Sequence, residues 1–128
     1  MTLLVDLGNT ALKWAMTDAA GAPIGVLAEP HRGSDDFAAR LAVAWRGVPA
    51  GTRAVGCSVA SKAARAVAEQ VAAAHRVRIE WLPSEPRHDG TFVLLNGYRD
   101  PTQLGADRWH GMLGACQRAP RRSFVLVA

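Results

Sequence analysis

Two short stretches of this sequence combine residue types that bind phosphate or move protons. The first is Asp6-Leu7-Gly8-Asn9-Thr10, followed by Lys13. Gly8 allows the backbone to approach a bulky anion, while Asn9 and Thr10 offer donors and the lysine adds positive charge. Asp6 can hold a divalent ion directly or through water, since Mg²⁺ prefers oxygen ligands. The same residue types form ordinary hairpin turns, so this stretch alone leaves both interpretations open.

The second stretch runs from residue 96 to residue 109 and gathers two acidic residues, two arginines and a tyrosine around glycines and a proline. Its last part predicts the start of a helix, with Asp107 and Arg108 in the first turns and Trp109 turned into the core. A carboxylate can accept the proton of an attacking hydroxyl, and an arginine can bind a carboxylate with two parallel hydrogen bonds. A solvated ion pair at a helix start is the alternative interpretation.

The elements that position these stretches follow from the hydrophobic pattern. Short apolar runs predict a meander of three strands at 2–7, 11–17 and 24–28, followed by strands at 52–59 and 77–81. Ser34 and Ser61 are predicted to cap two helices, the first with Asp35 and Asp36 in its first turn and an apolar stripe of Phe37, Leu41, Ala44 and Trp45. A loop at 84–89, an apolar segment at 91–95, a third helix over 103–118 and a terminal strand at 123–128 complete the prediction. Strands that alternate with helices indicate an α/β fold with a mixed sheet and flanking helices.

Composition limits the class of protein. The chain has 128 residues, of which 49% are hydrophobic and 20% charged, so a packed core is expected. Its net charge of +4 allows weak association with nucleic acid but specifies no partner, and nucleic-acid binding is not expected. The two cysteines form no disulfide framework or zinc motif. With no signal-like N-terminus and no apolar run near the roughly 20 residues of a membrane span, a cytoplasmic protein is expected.

Two motifs together carry a family resemblance. The first is Asp6-Leu-Gly-Asn-Thr-Ala-Leu-Lys13. The second follows about ninety residues later and is Tyr98-x-x-Pro101-x-x-Leu104-Gly-Ala-Asp-Arg-Trp109. With these two motifs the chain resembles the type III pantothenate kinase family, one branch of which is labelled Bvg accessory factor. The predicted element order is similar to the ribonuclease H-like lobe of the acetate kinase, sugar kinase, Hsp70 and actin superfamily. The resemblance implies such a lobe over 1–120 and the first strand of a second lobe over 121–128.

The resemblance also implies a function, which is the ATP-dependent phosphorylation of pantothenate in the first step of coenzyme A biosynthesis. It implies Mg²⁺ and a monovalent cation, K⁺ or NH₄⁺, in a homodimer whose substrate site lies near the subunit interface. The implied contacts to ATP are Asp6, Leu7, Gly8, Asn9, Thr10, Ala11, Leu12 and Lys13, with Asp6 also placed to position Mg²⁺. The implied contacts to pantothenate are Tyr98, Gly105, Ala106, Asp107 and Arg108, with Asp107 as the proton acceptor.

Two other functions are compatible with parts of the sequence. A regulatory module associated with nucleic acid would explain the positive charge, and its binding to duplex DNA would fall steeply with salt. Another kinase or ATPase of the same superfamily would share the first motif, although the Leu104-Gly-Ala-Asp-Arg-Trp109 block argues against it. The family pattern continues into an Asp-x-Gly-Thr-Ala segment that these 128 residues do not contain. Little or no kinase activity is therefore expected from this stretch of chain by itself.

Overall fold

The computed structural model describes residues 1–127, which divide into two compact units. The N-terminal unit covers Met1–Leu82, and the C-terminal unit begins at Pro83.

A five-stranded mixed sheet forms the N-terminal unit. Its strands are β1 (Thr2–Leu7), β2 (Ala11–Thr17), β3 (Pro23–Pro30), β4 (Arg53–Ser58) and β5 (Ile79–Trp81). The strand order is β3-β2-β1-β4-β5, with β1 antiparallel to β2 and parallel to β4. The predicted meander is confirmed, and β3 extends past the predicted range at both ends. The chain therefore has the mixed α/β class that the hydrophobic pattern predicts.

Two helices of the N-terminal unit contribute to its core, α1 (Phe37–Ala44) and α2 (Lys62–Ala74). Ser61 caps α2 as predicted, since its hydroxyl oxygen accepts a hydrogen bond from the backbone N–H of Ala64 at 3.2 Å. The predicted cap at Ser34 is wrong, because α1 begins only after Asp36 and no side chain caps it. The Ser34 hydroxyl instead donates to the Asp36 carboxylate at 2.6 Å.

One face of the sheet forms the core with both helices. Leu3, Val5 and Leu7 of β1 lie in one buried cluster with side chains of both helices, among them Leu41 and Ala68. The predicted stripe of α1 is largely confirmed, with Phe37, Leu41 and the adjacent Trp45 all buried. This arrangement leaves the alternate residues of β1 on the opposite face of the sheet.

Gly56 of β4 permits close packing between neighbouring strands. A Cβ at this position would lie 2.7 Å from the Val5 carbonyl oxygen and 3.0 Å from the Trp81 ring. The first contact is with backbone, which cannot move aside without shifting β1. The absence of a side chain therefore allows the Trp81 ring to lie against β4.

The C-terminal unit contains a small hairpin and one longer helix. Its elements are β6 (Arg87–Asp89), β7 (Val93–Leu95), a 3₁₀ turn (Pro101–Gln103) and α3 (Ala106–Arg118). The loop predicted at 84–89 is partly wrong, because its last three residues pair with β7. Helix α3 begins three residues later than predicted, since residues 101–103 form the separate 3₁₀ turn.

Residues 123–127 form no paired strand in the described chain. Their exposure nevertheless alternates, with Phe124 and Leu126 at 40% and 42% and Val125 and Val127 both at 89%. This is the period expected of an extended segment with one packed face. The last residue of the predicted strand, Ala128, lies outside the described residues, and the assignment of 121–128 to a second lobe stays a prediction.

Candidate active site

The first motif forms a hairpin at one end of the sheet. Asp6 and Lys13 are directly opposite each other in the β1–β2 pair, and both are exposed. Their side chains share the face of the sheet that is turned away from the helices, because Leu7 and Leu12, which follow and precede them, are fully buried. A carboxylate and an ammonium group therefore flank the turn from the same side.

The turn itself is closed by a short backbone contact. The Gly8 N–H donates to the Ala11 carbonyl at 3.0 Å, so Asn9 and Thr10 form an exposed tip. A Cβ on Gly8 would lie 3.3 Å from the same carbonyl oxygen, tighter than most such contacts. Within residues 1–127, the backbone N–H of Asn9 has no hydrogen-bond acceptor in the protein. The tip thus offers backbone and side-chain donors to an external anion.

Residues 31 and 32 lie behind this turn and hydrogen-bond to it. The His31 ring Nε2 lies 2.7 Å from the Gly8 carbonyl oxygen. The backbone N–H groups of His31 and Arg32 both donate to the Thr10 carbonyl, at 2.9 and 3.2 Å. The turn is therefore held by the segment that follows β3 as well as by its own strands.

Asn96 organises the loop that carries the second motif. Its amide nitrogen donates to the Pro101 carbonyl at 3.1 Å and to the Glu85 carbonyl at 3.2 Å. Its amide oxygen accepts the backbone N–H of Tyr98 at 3.1 Å. The half-buried Asn96 side chain thus holds the backbone at Glu85, Tyr98 and Pro101, and so determines where Tyr98 leaves the loop.

The next residues lead the chain into α3. Asp100 caps the 3₁₀ turn by accepting the hydroxyl and the backbone N–H of Thr102, at 2.7 and 3.0 Å. These bonds, the hydroxyl first, lower the pKa of Asp100 below its ordinary value. Gly105 occupies the N-cap of α3, and its carbonyl accepts the N–H of Trp109 at 3.0 Å.

Asp107 lies in the first turn of α3, where the helix dipole favours a negative charge. Its carboxylate accepts the backbone N–H of Arg108 at 2.8 Å. Among the described residues no ion pair joins the Asp107 and Arg108 side chains, and Arg108 is exposed. Both interpretations of these two residues stay open. Trp109 is 1% exposed and anchors the helix, as predicted.

A cavity of about 430 Å³ lies beside α3 in the C-terminal unit. Tyr98 and Arg108 supply its polar groups, and the rest of its lining is apolar. The apolar residues are Leu104, Met112, Phe124, Leu126 and Val127. A mostly apolar pocket of this size with a few convergent polar groups is typical of small-molecule sites.

Comparison with known proteins assigns the family. The family model described as type III pantothenate kinase matches residues 2–128. The chain belongs to the type III pantothenate kinase family. It is 40% identical to the type III pantothenate kinase of Paracidovorax citrulli over 98% of this chain and 50% of that protein. The corresponding protein of Thiobacillus denitrificans is 39% identical over 98% of this chain and 46% of its own length. The chain thus spans about half the length of these curated relatives.

The family resemblance deduced from the two motifs is confirmed. The residues predicted to contact ATP form one continuous hairpin, in which Leu7 and Leu12 bury their side chains and offer a ligand only backbone groups. Tyr98 and Arg108 meet at one cavity, whereas Gly105, Ala106 and Asp107 lie at the start of α3 outside its lining. The individual roles of these residues in a type III pantothenate kinase stay predictions.

Sequence reasoning assigned no role to two residues that support these motifs. His31 was not recognised because its contact with Gly8 spans 23 positions. Asn96 stood at the start of the second motif, and its position before a glycine was the available signal, since asparagine side chains often bond to nearby backbone in turns.

Across residues 1–127, no group of three or more histidine, cysteine or acidic side chains is arranged to hold a metal ion. A Mg²⁺ ion bound with a nucleotide needs only one or two protein carboxylates, so the single Asp6 remains compatible with such a role. Within the same residues, no helix is both long and apolar enough to cross a bilayer.

Proposed function

We propose that the complete protein phosphorylates pantothenate with ATP and yields 4'-phosphopantothenate, the first step of coenzyme A biosynthesis. The observation that carries the proposal is the meeting of Tyr98 and Arg108 at one apolar cavity beside the Asp107 turn. Membership of the family supports it, since the relatives are named as kinases of this substrate. The strand order supports a ribonuclease H-like lobe of the acetate kinase, sugar kinase, Hsp70 and actin superfamily.

Binding of pantothenate follows from the lining of the cavity. Arg108 pairs with the substrate carboxylate, for which its planar guanidinium is suited. The apolar wall, which includes Leu104 and Met112, covers the substrate's methyl groups and excludes water. Tyr98 is 49% exposed at this cavity and offers its hydroxyl as donor or acceptor.

The chemical step needs alignment, charge neutralisation and one proton transfer. The hydroxyl oxygen of pantothenate forms a bond to the γ-phosphorus while the bond from that phosphorus to the β,γ-bridging oxygen breaks. The hydroxyl proton passes to the Asp107 carboxylate, and assistance of this kind is typically worth about 10² to 10⁴ in rate. The backbone groups of the Gly8–Thr10 turn and the Lys13 ammonium hold the phosphates of the nucleotide.

The fit of a metal ion rests on Asp6, an exposed carboxylate opposite Lys13 at the end of β1. A bound Mg²⁺ would neutralise developing charge on the phosphates. A monovalent cation, K⁺ or NH₄⁺, a homodimeric assembly and a cytoplasmic location complete the proposal and come from the family resemblance.

The proposal is tested by measuring ADP release from the complete protein with ATP and a panel of acceptor alcohols. Pantothenate should be the preferred acceptor, and Asp107→Asn should lower kcat by at least about tenfold with nearly unchanged ATP affinity. Asp89→Asn is the matched control, because that carboxylate lies in the same unit, pairs with Arg87 and should leave kcat unchanged. Preference for another acceptor would reject the substrate, and an unchanged kcat would reject Asp107 as the proton acceptor.

A further inference from the structure

A two-residue segment, His31–Arg32, supports the turn that we propose binds phosphate, and it is called the strap here. It makes three hydrogen bonds to the turn, and all three end on carbonyl oxygens. The His31 ring reaches Gly8, while the strap's two backbone N–H groups converge on Thr10. Because a carbonyl accepts only, the ring Nε2 must carry the proton in this contact. The strap therefore acts as a donor surface facing one side of the turn.

The planarity of the peptide bond transmits this contact to the other side of the turn. In a trans peptide the carbonyl of one residue and the N–H of the next point in opposite directions. Holding the Gly8 carbonyl toward His31 therefore directs the Asn9 N–H away from the strap. That N–H has no acceptor among the described residues. An anion placed on the free side would meet a donor, and it would not meet the repelling Gly8 oxygen.

The strap is itself anchored to α1. The His31 ring packs on the buried Phe37 ring, with centroids 5.3 Å apart and planes inclined by 50°. Arg40 joins the chain on both sides of the strap, through ion pairs to Glu29 at 2.9 Å and to Asp36 at 3.0 Å. It also donates to the Ser34 hydroxyl and to the Pro30 carbonyl. The position of His31 thus depends on a connected network in addition to its own bond.

We propose that His31 is a positioning residue for nucleotide phosphate, which it serves by fixing the Gly8 carbonyl so that the turn presents the Asn9 N–H. The inference rests on the proposed function, since it names how the phosphate turn is held. The proposed role requires the N–H donor of the His31 ring, because an aromatic ring without a donor cannot hold the Gly8 carbonyl. It also predicts an effect on nucleotide binding and not on KM for pantothenate, because the hydrogen bonds from the strap to the motif residues end on Gly8 and Thr10.

Three variants of the complete protein separate the contribution of the His31 N–H donor from that of its aromatic ring. His31→Phe keeps a ring against Phe37 but removes the donor, whereas His31→Gln keeps an N–H donor of similar reach. His75→Phe is the matched control, because His75 is also half-buried and its ring Nδ1 lies 2.9 Å from the Val71 carbonyl, at the end of α2. The measurements are ATP affinity by calorimetric titration, and KM for ATP, KM for pantothenate and kcat.

His31→Phe should weaken ATP binding and raise KM for ATP by about two- to tenfold, the range expected for one lost hydrogen bond. KM for pantothenate and kcat should stay within about twofold, and His31→Gln should recover most of the loss. Wild-type ATP affinity in His31→Phe, or an equal loss in His75→Phe, would overturn the inference. If the unmodified protein binds no ATP, the proposed function itself fails, which is a distinct result.

Discussion

Replacing Arg108 with methionine tests the proposed binding of pantothenate to the C-terminal unit. Arg108 is the cation in the lining of the 430 Å³ cavity, where the other polar group is Tyr98. Methionine keeps a long flexible side chain and removes the charge and all the donors. If Arg108 binds the pantothenate carboxylate, the variant should bind pantothenate more weakly and turn it over at the same rate once bound.

The size of the effect follows from the environment of the guanidinium group. A hydrogen bond to a charged group contributes about 1.5–3 kcal/mol, and Arg108 is exposed, so the lower part of this range applies. Since about 1.4 kcal/mol corresponds to a factor of ten, KM for pantothenate should rise roughly tenfold. The carboxylate is remote from the reacting hydroxyl, so the lost interaction is equal in ground and transition states and kcat should change by less than about twofold.

The assay compares pantothenate with pantothenol, in which an alcohol replaces the carboxylate. The unmodified protein should favour pantothenate, while Arg108→Met should lose most of that preference and leave KM for pantothenol nearly unchanged. Arg118→Met is the control, because Arg118 is an exposed arginine in the last turn of the same helix. An equal rise in KM for both substrates would refute the reasoning, since it would mean that Arg108 acts through the shape of the cavity.

Two further predictions concern the hairpin of the first motif and the loop of the second motif. Lys13→Ala should weaken ATP binding, because it removes the ammonium group opposite Asp6, whereas replacing the other lysine, Lys62→Ala, should not; a calorimetric ATP titration that shows no difference would count against the assignment. The folded pKa of Asp100 lies below its ordinary value of 3.8, so its bonds to Thr102 stabilise the fold fully above that pH and are lost as the pH falls through the folded pKa. Unfolding midpoints measured between about pH 2 and pH 6 should therefore decline less steeply on acidification in Asp100→Asn than in the unmodified protein.

Local signals predicted much of the N-terminal unit. The first two strands have the predicted bounds, because each is an apolar or alternating run that ends at a turn rich in Gly, Asn or Asp. The cap at Ser61 was also predicted correctly, since it needs only the hydroxyl and a backbone N–H three residues later. Where the interaction that determines a strand end or a cap joins residues close together in the sequence, residue type and spacing were sufficient to predict it.

Distant contacts explain the errors. Ser34 and Ser61 are equally suitable for capping by residue type. The Ser34 hydroxyl, however, donates to Asp36 and accepts a hydrogen bond from the side chain of Arg40, one turn inside α1. Strand β6 was missed because its sequence Arg-His-Asp is polar and its pairing partner β7 lies beyond the turn. Residues 123–127 have the composition of a strand, but a strand also requires a partner, which composition does not report.

The candidate site shows the same difference between residues recognisable from the sequence and residues that act through distant contacts. The two motifs were sufficient to identify the family, and Tyr98 and Arg108 of the second motif line one cavity, while their roles stay predictions. The supporting residues His31 and Asn96 became evident only from contacts that the folded backbone creates, at 23 and up to 11 positions of separation. Residues that could bind a ligand or transfer a proton are recognisable by type, whereas the residues that hold them in position have no distinctive type.

The burial of Trp109 determines the directions in which the neighbouring side chains of α3 point. An α-helix turns by about 100° per residue, so a side chain held in the core determines the angular position of every neighbour. Arg108 and Asp107 are therefore rotated by about 100° and 200° from the buried indole, toward the surface. This explains why Trp109 is 1% exposed while Arg108 is exposed. The buried indole ring thus fixes the rotation of α3 about its axis, and a smaller residue in its place would remove this constraint on the directions of Asp107 and Arg108.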